Sequence, residues 1–458
     1  MTTTKERTAM QRQFQTNMDE DELMNCMRCG FCLPTCPTYI ESGFQESHSP
    51  RGRIALMKAV VDGVIEPDDD VEQSLAMCLG CRACEPVCPS GVRYGHLLEE
   101  ARSIIAQHKQ YPFVVRVLRN VVFQWLFPHP RRLRLVTALL GFYQRSGLQE
   151  MVQSLGFFKL FPPHLAMMER VLPKVPAWKE MNNRPNQLAP KGRKKRRVAF
   201  FTGCLMDTMF MNINDATMKL LQLAGCEIVI PSHQVCCGAL HGHGGEKAQA
   251  KELAKRNIEA FERLDVDYIV TNAGGCGAFL IEYDHLLEDD SEWNERAKTF
   301  TKKIKDISEV LLELEFSSIG LKVSPQIVTY QDSCHLRNVM KVASAPRQLL
   351  QAIEGVEFRE MRDADRCCGS AGIYNIVQPD MSMQILDYKM SQAKQTNATT
   401  IVTANPGCLL QMKLGIEREG LAGRVRAVHI VELLLEAAET NKLFVANEQL
   451  RATTRKTS

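Results

Sequence analysis

The sequence predicts an α+β multidomain chain, in which a helical N-terminal domain built around eight cysteines precedes a duplicated, cysteine-rich α/β domain. Three observations predict it. One cysteine pattern is written twice near the N-terminus, a larger cysteine-bearing pattern recurs in the second half, and each larger half alternates short apolar strands with helical periodicity. At 458 residues the chain has room for several sizeable cores. Its apolar (45%) and charged (24%) fractions are ordinary for a soluble protein, and a net charge of +3 is too small to imply nucleic-acid binding. No run of about eighteen apolar residues occurs, so no transmembrane helix is expected.

The first pattern reads Cys26-Met-Arg-Cys29-Gly-Phe-Cys32-Leu-Pro-Thr-Cys36-Pro37 and returns as Cys78-Leu-Gly-Cys81-Arg-Ala-Cys84-Glu-Pro-Val-Cys88-Pro89. Three closely spaced thiolates can wrap one face of an iron-sulfur cube, and the longer gap before proline turns the fourth cysteine away. In two-cluster ferredoxins that fourth cysteine ligates the other cluster. Cys26, Cys29, Cys32 and Cys88 are therefore expected to hold one [4Fe-4S] cluster, and Cys78, Cys81, Cys84 and Cys36 a second. A disulfide framework suits short secreted chains, whereas this chain is long and its first ten residues hold no apolar signal core. Structural zinc takes two separated pairs of ligands rather than four cysteines crowded together. Seventeen cysteines, many in such clusters, also call for a reducing cytoplasm.

In chain order, residues 1–110 are expected to form a helical ferredoxin domain. Between its motifs, Ser49-Pro50-Arg51-Gly52-Arg53 opens a helix carrying Ile54, Met57, Val60, Val61 and Val64. Arg51 and Arg53 have two readings: cations that favour a reduced, anionic cluster, or a solvated helix start. An amphipathic helix follows from Leu97 to Gln107.

Residues 111–190 read as a helical connector and linker. From Phe113 to Phe127 only Arg116, Arg119, Asn120 and Gln124 interrupt an apolar surface, which is expected to be buried against something. Apolar residues continue through Leu139, Leu140, Phe142 and Tyr143 to Phe157, Phe158, Leu160 and Phe161, with Arg131, Arg132 and Arg134 among them. Packing between domains, docking to a flavin subunit and lying on an anionic membrane surface are the alternatives. The basic run from Lys191 to Arg197 reads as a solvated linker that touches anionic lipid or an acidic partner.

Residues 191–320 and 321–445 are the expected repeats, with a polar tail at 446–458. Val198 to Cys204 matches Ile327 to Cys334, Cys236-Cys237-Gly238 matches Cys367-Cys368-Gly369, and Tyr268 to Cys276 matches Thr400 to Cys408. The residues from Asp306 likewise match those from His429. In a largely parallel sheet, loops at strand carboxyl ends build sites, and all three cysteine landmarks fall on such loops. Cys204, Cys236, Cys237 and Cys276 are expected to converge in one half, and Cys334, Cys367, Cys368 and Cys408 in the other, as a further cluster or metal site. A dithiol redox pair and plain packing are the rivals. His241, His243 and His335 are candidate ligands or proton carriers. Cys226 has no counterpart and reads as a buried side chain.

Taken together, the doubled motif, the Ser-Pro-Arg-Gly-Arg insert, Cys88-Pro-Ser-Gly-Val-Arg-Tyr94 and the paired Cys-Cys-Gly segments resemble the iron-sulfur subunits of glycolate oxidase, over nearly the whole chain. The resemblance implies work alongside FAD-binding subunits that oxidise glycolate to glyoxylate. Electrons would pass on to a membrane acceptor, a quinone type. Related architectures occur in lactate-utilisation proteins, anaerobic glycerol-3-phosphate dehydrogenase subunits and heterodisulfide reductases. Phe279 and Gln411 stand where the last resemble a Cys-x-x-Cys ending, so a five-cysteine cluster does not carry over. The chain has no Gly-x-Gly-x-x-Gly after a strand and no nucleophile with a recognisable base, so no catalytic residue is expected in it. Removing hydride equivalents needs a two-electron acceptor such as flavin, whereas clusters pass single electrons. The chain is expected to be an electron-transfer subunit of an oxidoreductase complex, cytoplasmic or peripheral on the cytoplasmic membrane face; the alternatives are the iron-sulfur subunit of a lactate or glycerol-3-phosphate dehydrogenase complex and a thiol-disulfide enzyme.

Overall fold

The computed structural model describes residues 4–156 and 163–441; Phe157, Phe158, Leu160, Phe161 and the tail from 446 lie outside the described residues. The N-terminal unit is helical, with helices Thr4–Asn17, Glu20–Met24, Pro37–Glu41, Pro50–Val61, Asp69–Ala76 and Tyr94–His108. Phe14, Met57, Leu75, Leu98 and Ile104 form its core, and Cys78 and Cys84 pack on the same cluster. Helix Pro50–Val61 starts as its sequence dictates. Ser49 Oγ accepts from the Gly52 amide at 2.9 Å, and Pro50 occupies the first turn. A Cβ on Gly52 would lie 1.9 Å from the Glu46 carbonyl oxygen, so glycine lets the preceding turn close. The helix stops at Val61, and Val64 lies beyond it, 75% exposed, because Gly63 turns the chain at a φ of 73°.

Of the three alternatives for the connector, packing between domains is the one its described residues do not follow. Helix Phe113–Arg119 runs into a wider π-turn over Asn120–Leu126, and helix Pro130–Arg145 follows. Phe123 is buried, whereas Phe113, Val114, Leu118, Leu139 and Phe142 stand in solvent. The face turned inward carries Arg119, whose Nη2 donates to the Gly244 carbonyl at 3.1 Å and pairs with Glu246 at 2.6 Å. A charged partner on the body thus orients the segment, and its apolar surface remains outside.

The cysteine-rich part contains two sheets. In the first, β1 (Gln187–Leu188), β2 (Arg196–Phe200), β3 (Cys226–Val229), β4 (Tyr268–Thr271) and β5 (Ile304–Asp306) take the order β1-β3-β2-β4-β5, parallel apart from β1. In the second, β6 (Leu321–Tyr330), β7 (Ile353–Phe358), β8 (Thr400–Thr403) and β9 (Arg426–His429) take the order β7-β6-β8-β9, all parallel. Without β1, the two orders are the same, and the register repeats too. Val198 pairs with Tyr268 as Val328 pairs with Thr400. The duplication legible in the cysteines is therefore a duplication of topology.

The basic run is not simply solvated. Arg196 and Arg197 begin β2, Lys194 and Arg197 pair with Glu227, and Arg196 pairs with Glu313. Acidic residues on neighbouring elements consume these charges.

Candidate electron-transfer site

Both N-terminal cysteine loops are curled by the same backbone device. The second and fourth residues after the leading cysteine take left-handed conformations, Arg28 (φ 56°) and Gly30 (φ 89°) in one loop, Gly80 (φ 64°) and Arg82 (φ 57°) in the other. Alternating handedness turns successive amides inward and makes a concavity suited to an anion. Cys26, Cys29, Cys32 and Cys88 line one open cavity, with Cys84, Arg51 and Tyr94 also on its wall. Cys36 is brought to the other group, where Cys81 and Cys84 interact electrostatically with it and with Cys78. Cys88 and Cys36 thus each lie near the other loop's cysteines, while Cys84 also lines the first cavity and Cys36 also faces Cys32.

Burial and neighbouring thiols push Cys81 and Cys84 well above the ordinary thiol range. Cys78 behaves oppositely: burial opposes ionisation, but Arg53 and Arg102 bring it down. Its sulfur also accepts from the Gly80 amide at 3.3 Å and the Tyr94 hydroxyl at 3.4 Å. Crowded thiols that resist ionisation alone, next to a fully buried guanidinium, are a donor set suited to a cationic iron centre that makes them thiolates.

In the first repeat Cys204 contacts Cys236, Cys236 contacts Cys237, and Cys237 contacts Cys276. The second repeat forms the same chain through Cys334, Cys367, Cys368 and Cys408. Each expected group of four therefore converges. The glycine after each cysteine pair has a positive φ, 87° at Gly238 and 90° at Gly369, which explains the Cys-Cys-Gly signature. Phe279 packs over Gly238 and Gly242, and Gln411 donates to Ser382 Oγ at 3.2 Å while accepting from Asn375. These side chains occupy the positions of the missing cysteines. Cys226 lies apart in β3, and burial pushes its thiol up to about 12.

The second motif is fastened to the second repeat. Asn338 Nδ2 donates to the Cys81 carbonyl at 2.9 Å, His335 Nε2 to the Gly80 carbonyl at 2.9 Å, and the Tyr374 hydroxyl to the Met77 carbonyl at 3.0 Å. Leu79, Cys81, Cys334, Cys367 and Tyr374 share one apolar cluster. The other histidines flagged by sequence join the first repeat to the connector and to helix Tyr94–His108. His241 Nε2 donates to the Phe123 carbonyl at 2.8 Å, and His243 Nδ1 meets Glu99 at 2.8 Å. Burial and the neighbouring His243 bring His335 down to about 4, so it is neutral at physiological pH.

Sequence reasoning missed three groups here. Arg102 donates to the Cys78 carbonyl at 2.6 Å, Arg82 pairs with Glu85 and Glu282, and Lys389, fully buried behind Cys367 and Cys368, donates to the Asp363 and Ala364 carbonyls. Arg102 and Lys389 lie outside every motif, and Arg82 occupies a variable position between Cys81 and Cys84. A basic residue on a helix reads as solvated until tertiary structure closes over it.

Fold and site define a class: an iron-sulfur protein in which a dicluster domain is joined to paired cysteine-rich domains. Residues 22–92 match the family model of the 4Fe-4S dicluster domain, residues 198–281 and 328–413 that of the cysteine-rich domain, and residues 114–172 that of the linker region of the glycolate oxidase iron-sulfur subunit. The chain is 67% identical to the probable glycolate oxidase iron-sulfur subunit of Bacillus subtilis (strain 168), over 96% of this chain and 99% of that one. It is 31% identical to the glycolate oxidase iron-sulfur subunit of Escherichia coli (strain K12), over 93% and 97%. Lactate utilization protein A of Exiguobacterium sp. (strain ATCC BAA-1283 / AT1b) is 32% identical over 53% of this chain and 98% of its own. The chain belongs to the family of glycolate oxidase iron-sulfur subunits.

Proposed function

We propose that this chain relays electrons within a glycolate oxidase complex, from FAD-binding partner subunits that oxidise glycolate to glyoxylate toward a membrane quinone-type acceptor at the cytoplasmic face. The observation that carries this is the attachment of the Cys81 loop to the Cys334 and Cys367 site, which joins thiol groups of both parts of the chain. Cys26, Cys29, Cys32 and Cys88 are the proposed ligands of one [4Fe-4S] cluster, and Cys78, Cys81, Cys84 and Cys36 of another. The repeat cysteines are proposed to hold a further cluster or metal. Such clusters, when bound, supply one-electron chemistry. The chain's own residues hold them, exclude water around Cys78 and Cys84, and fix the distance to the second repeat.

Flavin partners fit because nothing in the chain marks a hydride acceptor site. Membrane association is supported by the exposed apolar surface of the connector beside Arg116 and Arg131. Among the described residues no helix is long and apolar enough to cross a membrane. A lactate or glycerol-3-phosphate complex is the second reading, favoured for lactate by the relatives that match half of the chain.

The test is anaerobic purification from the native cell, identification of co-purifying chains and glycolate-dependent dye reduction. Cys29→Ser and Cys81→Ser should preserve flavin reduction by glycolate while slowing transfer to the acceptor. Normal acceptor turnover in both variants would end the proposal, and activity with lactate alone would replace the substrate.

A further inference from the structure

Arg53 is fully buried. Its Nε donates to the Ser74 carbonyl at 2.7 Å and its Nη2 to Thr38 Oγ1 at 3.1 Å, while Nη1 has no hydrogen-bond partner among the described residues. A guanidinium sealed from water without a counter-charge is strongly destabilising, so the site demands an anion. The groups that face it are the thiols of Cys36 and Cys78 and the Tyr94 hydroxyl, with His48 and Tyr374 further round it. Thr38 Oγ1 links the cation to one of them, lying 3.3 Å from Cys36 Sγ. Arg102 adds a second cation, with Nη2 on the carbonyls of Cys78 and Leu75 at 2.6 and 3.0 Å.

The other cysteine set has no such arrangement. Arg51, on its cavity wall, is paired with Glu46 at 2.7 Å, and Arg28 is exposed, where water and salt screen it. Cys29 is exposed, whereas Cys36, Cys78 and Cys84 are buried. Reduction adds a negative charge to a centre that is already anionic, and burial disfavours that charge. Burial alone would therefore make the inner centre the harder one to reduce. The buried guanidinium acts in the opposite direction and, being unscreened, acts strongly.

We infer that Arg53, assisted by Arg102, is a positioning residue that raises the reduction potential of the cluster on Cys36, Cys78, Cys81 and Cys84 above that of the cluster on Cys26, Cys29, Cys32 and Cys88. An electron entering at the exposed set then rests on the inner set, beside the second repeat. The inference deepens the proposed function and rests on its ligand assignment. It gives the relay a direction that cysteine spacing does not contain.

The experiment is an equilibrium redox titration of the full chain followed by electron paramagnetic resonance, with iron counted for each variant. Cys29→Ser and Cys81→Ser identify the waves of the two sets. Arg53→Met is expected to keep its iron and move only the inner wave to lower potential, by a tenfold or greater change in the reduction equilibrium, about 59 mV for one electron. Arg53→Lys, which keeps a charge, should recover part of the shift. If Arg53→Met loses iron, Arg102→Gln decides, with a smaller shift of the same sign. Unmoved waves in the iron-replete variants overturn the inference. Fewer than two motif clusters in the unaltered chain would overturn the ligand assignment instead.

Discussion

Asn338 Nδ2 donates to the Cys81 carbonyl at 2.9 Å, joining the second cysteine repeat to the second N-terminal cysteine loop across 257 positions of sequence. His335, in the same short helix Cys334–Asn338, holds the Gly80 carbonyl. The helix that starts with a site cysteine therefore also grips the neighbouring site's loop. Asn338→Ala leaves a half-buried carbonyl without its partner, at a cost of about 1–3 kcal/mol. The double variant with His335→Ala should increase hydrogen exchange across residues 78–84 and leave exchange in the β2 core unchanged. Unaltered exchange in that loop would show that the contact does not hold it.

Gly369 and Gly238 share a left-handed backbone but not the same surroundings. A Cβ at Gly369 would lie 2.7 Å from the Ser382 carbonyl oxygen, on helix backbone that cannot yield. At Gly238 it would meet a ring carbon of Phe279 at 3.1 Å, which a small rotation relieves. Both alanine variants incur the left-handed penalty of about 1–2 kcal/mol. Gly369→Ala should lower the thermal midpoint more than Gly238→Ala, and equal midpoints would refute the clash.

What was legible in the sequence was local or repeated. Cysteine spacings give loop geometry directly, and the repeated landmarks foretell one strand order used twice. Arg53 was legible only as two open alternatives, because its fate depends on Ser74 and Thr38, far from it in sequence. The connector was legible only as three alternatives for a related reason: which face of Phe113–Arg119 turns inward depends on Glu246, which draws Arg119 toward the body. The histidines near the cysteine turns were open between ligand, proton carrier and hydrogen-bonded side chain, and each makes a hydrogen bond to a group on another element. Periodicity reports what a helix can bury, while partners elsewhere decide what it does bury.

Glu282 makes the contact between these parts sensitive to acid. Burial pushes its carboxyl up, but the hydrogen bond from His96 and the charge of Arg82 outweigh this and bring it down to about 2 from 4.5. The folded state therefore binds this proton more weakly than the unfolded chain. Its contribution to stability is complete above about pH 4.5 and is lost as pH falls toward 2. Glu282→Gln should lower stability near neutral pH and flatten the decline between about pH 5 and 3 in urea unfolding followed by circular dichroism. A variant with the parent's acid slope would assign that slope to other carboxylates.

Exposure of Phe113 (70%), Val114 (74%), Leu118 (60%), Leu139 (61%) and Phe142 (62%) leaves large side chains in water on two helices that both pack on the π-turn Asn120–Leu126. Burial of each would contribute about 1.5–3 kcal/mol as an upper value, enough that a few inserted side chains hold a protein on a surface. Arg116 and Arg131 are exposed on the same helices and favour anionic lipid. The protein should float with vesicles containing phosphatidylserine or phosphatidylglycerol, less so with neutral vesicles and at high salt. Leu139→Glu with Phe142→Glu should reduce vesicle binding at least tenfold, because two carboxylates would have to enter the interface, while iron content stays at the parent's level. Loss of flavoprotein co-purification in that variant, with vesicle binding intact, would assign the surface to the subunit interface instead.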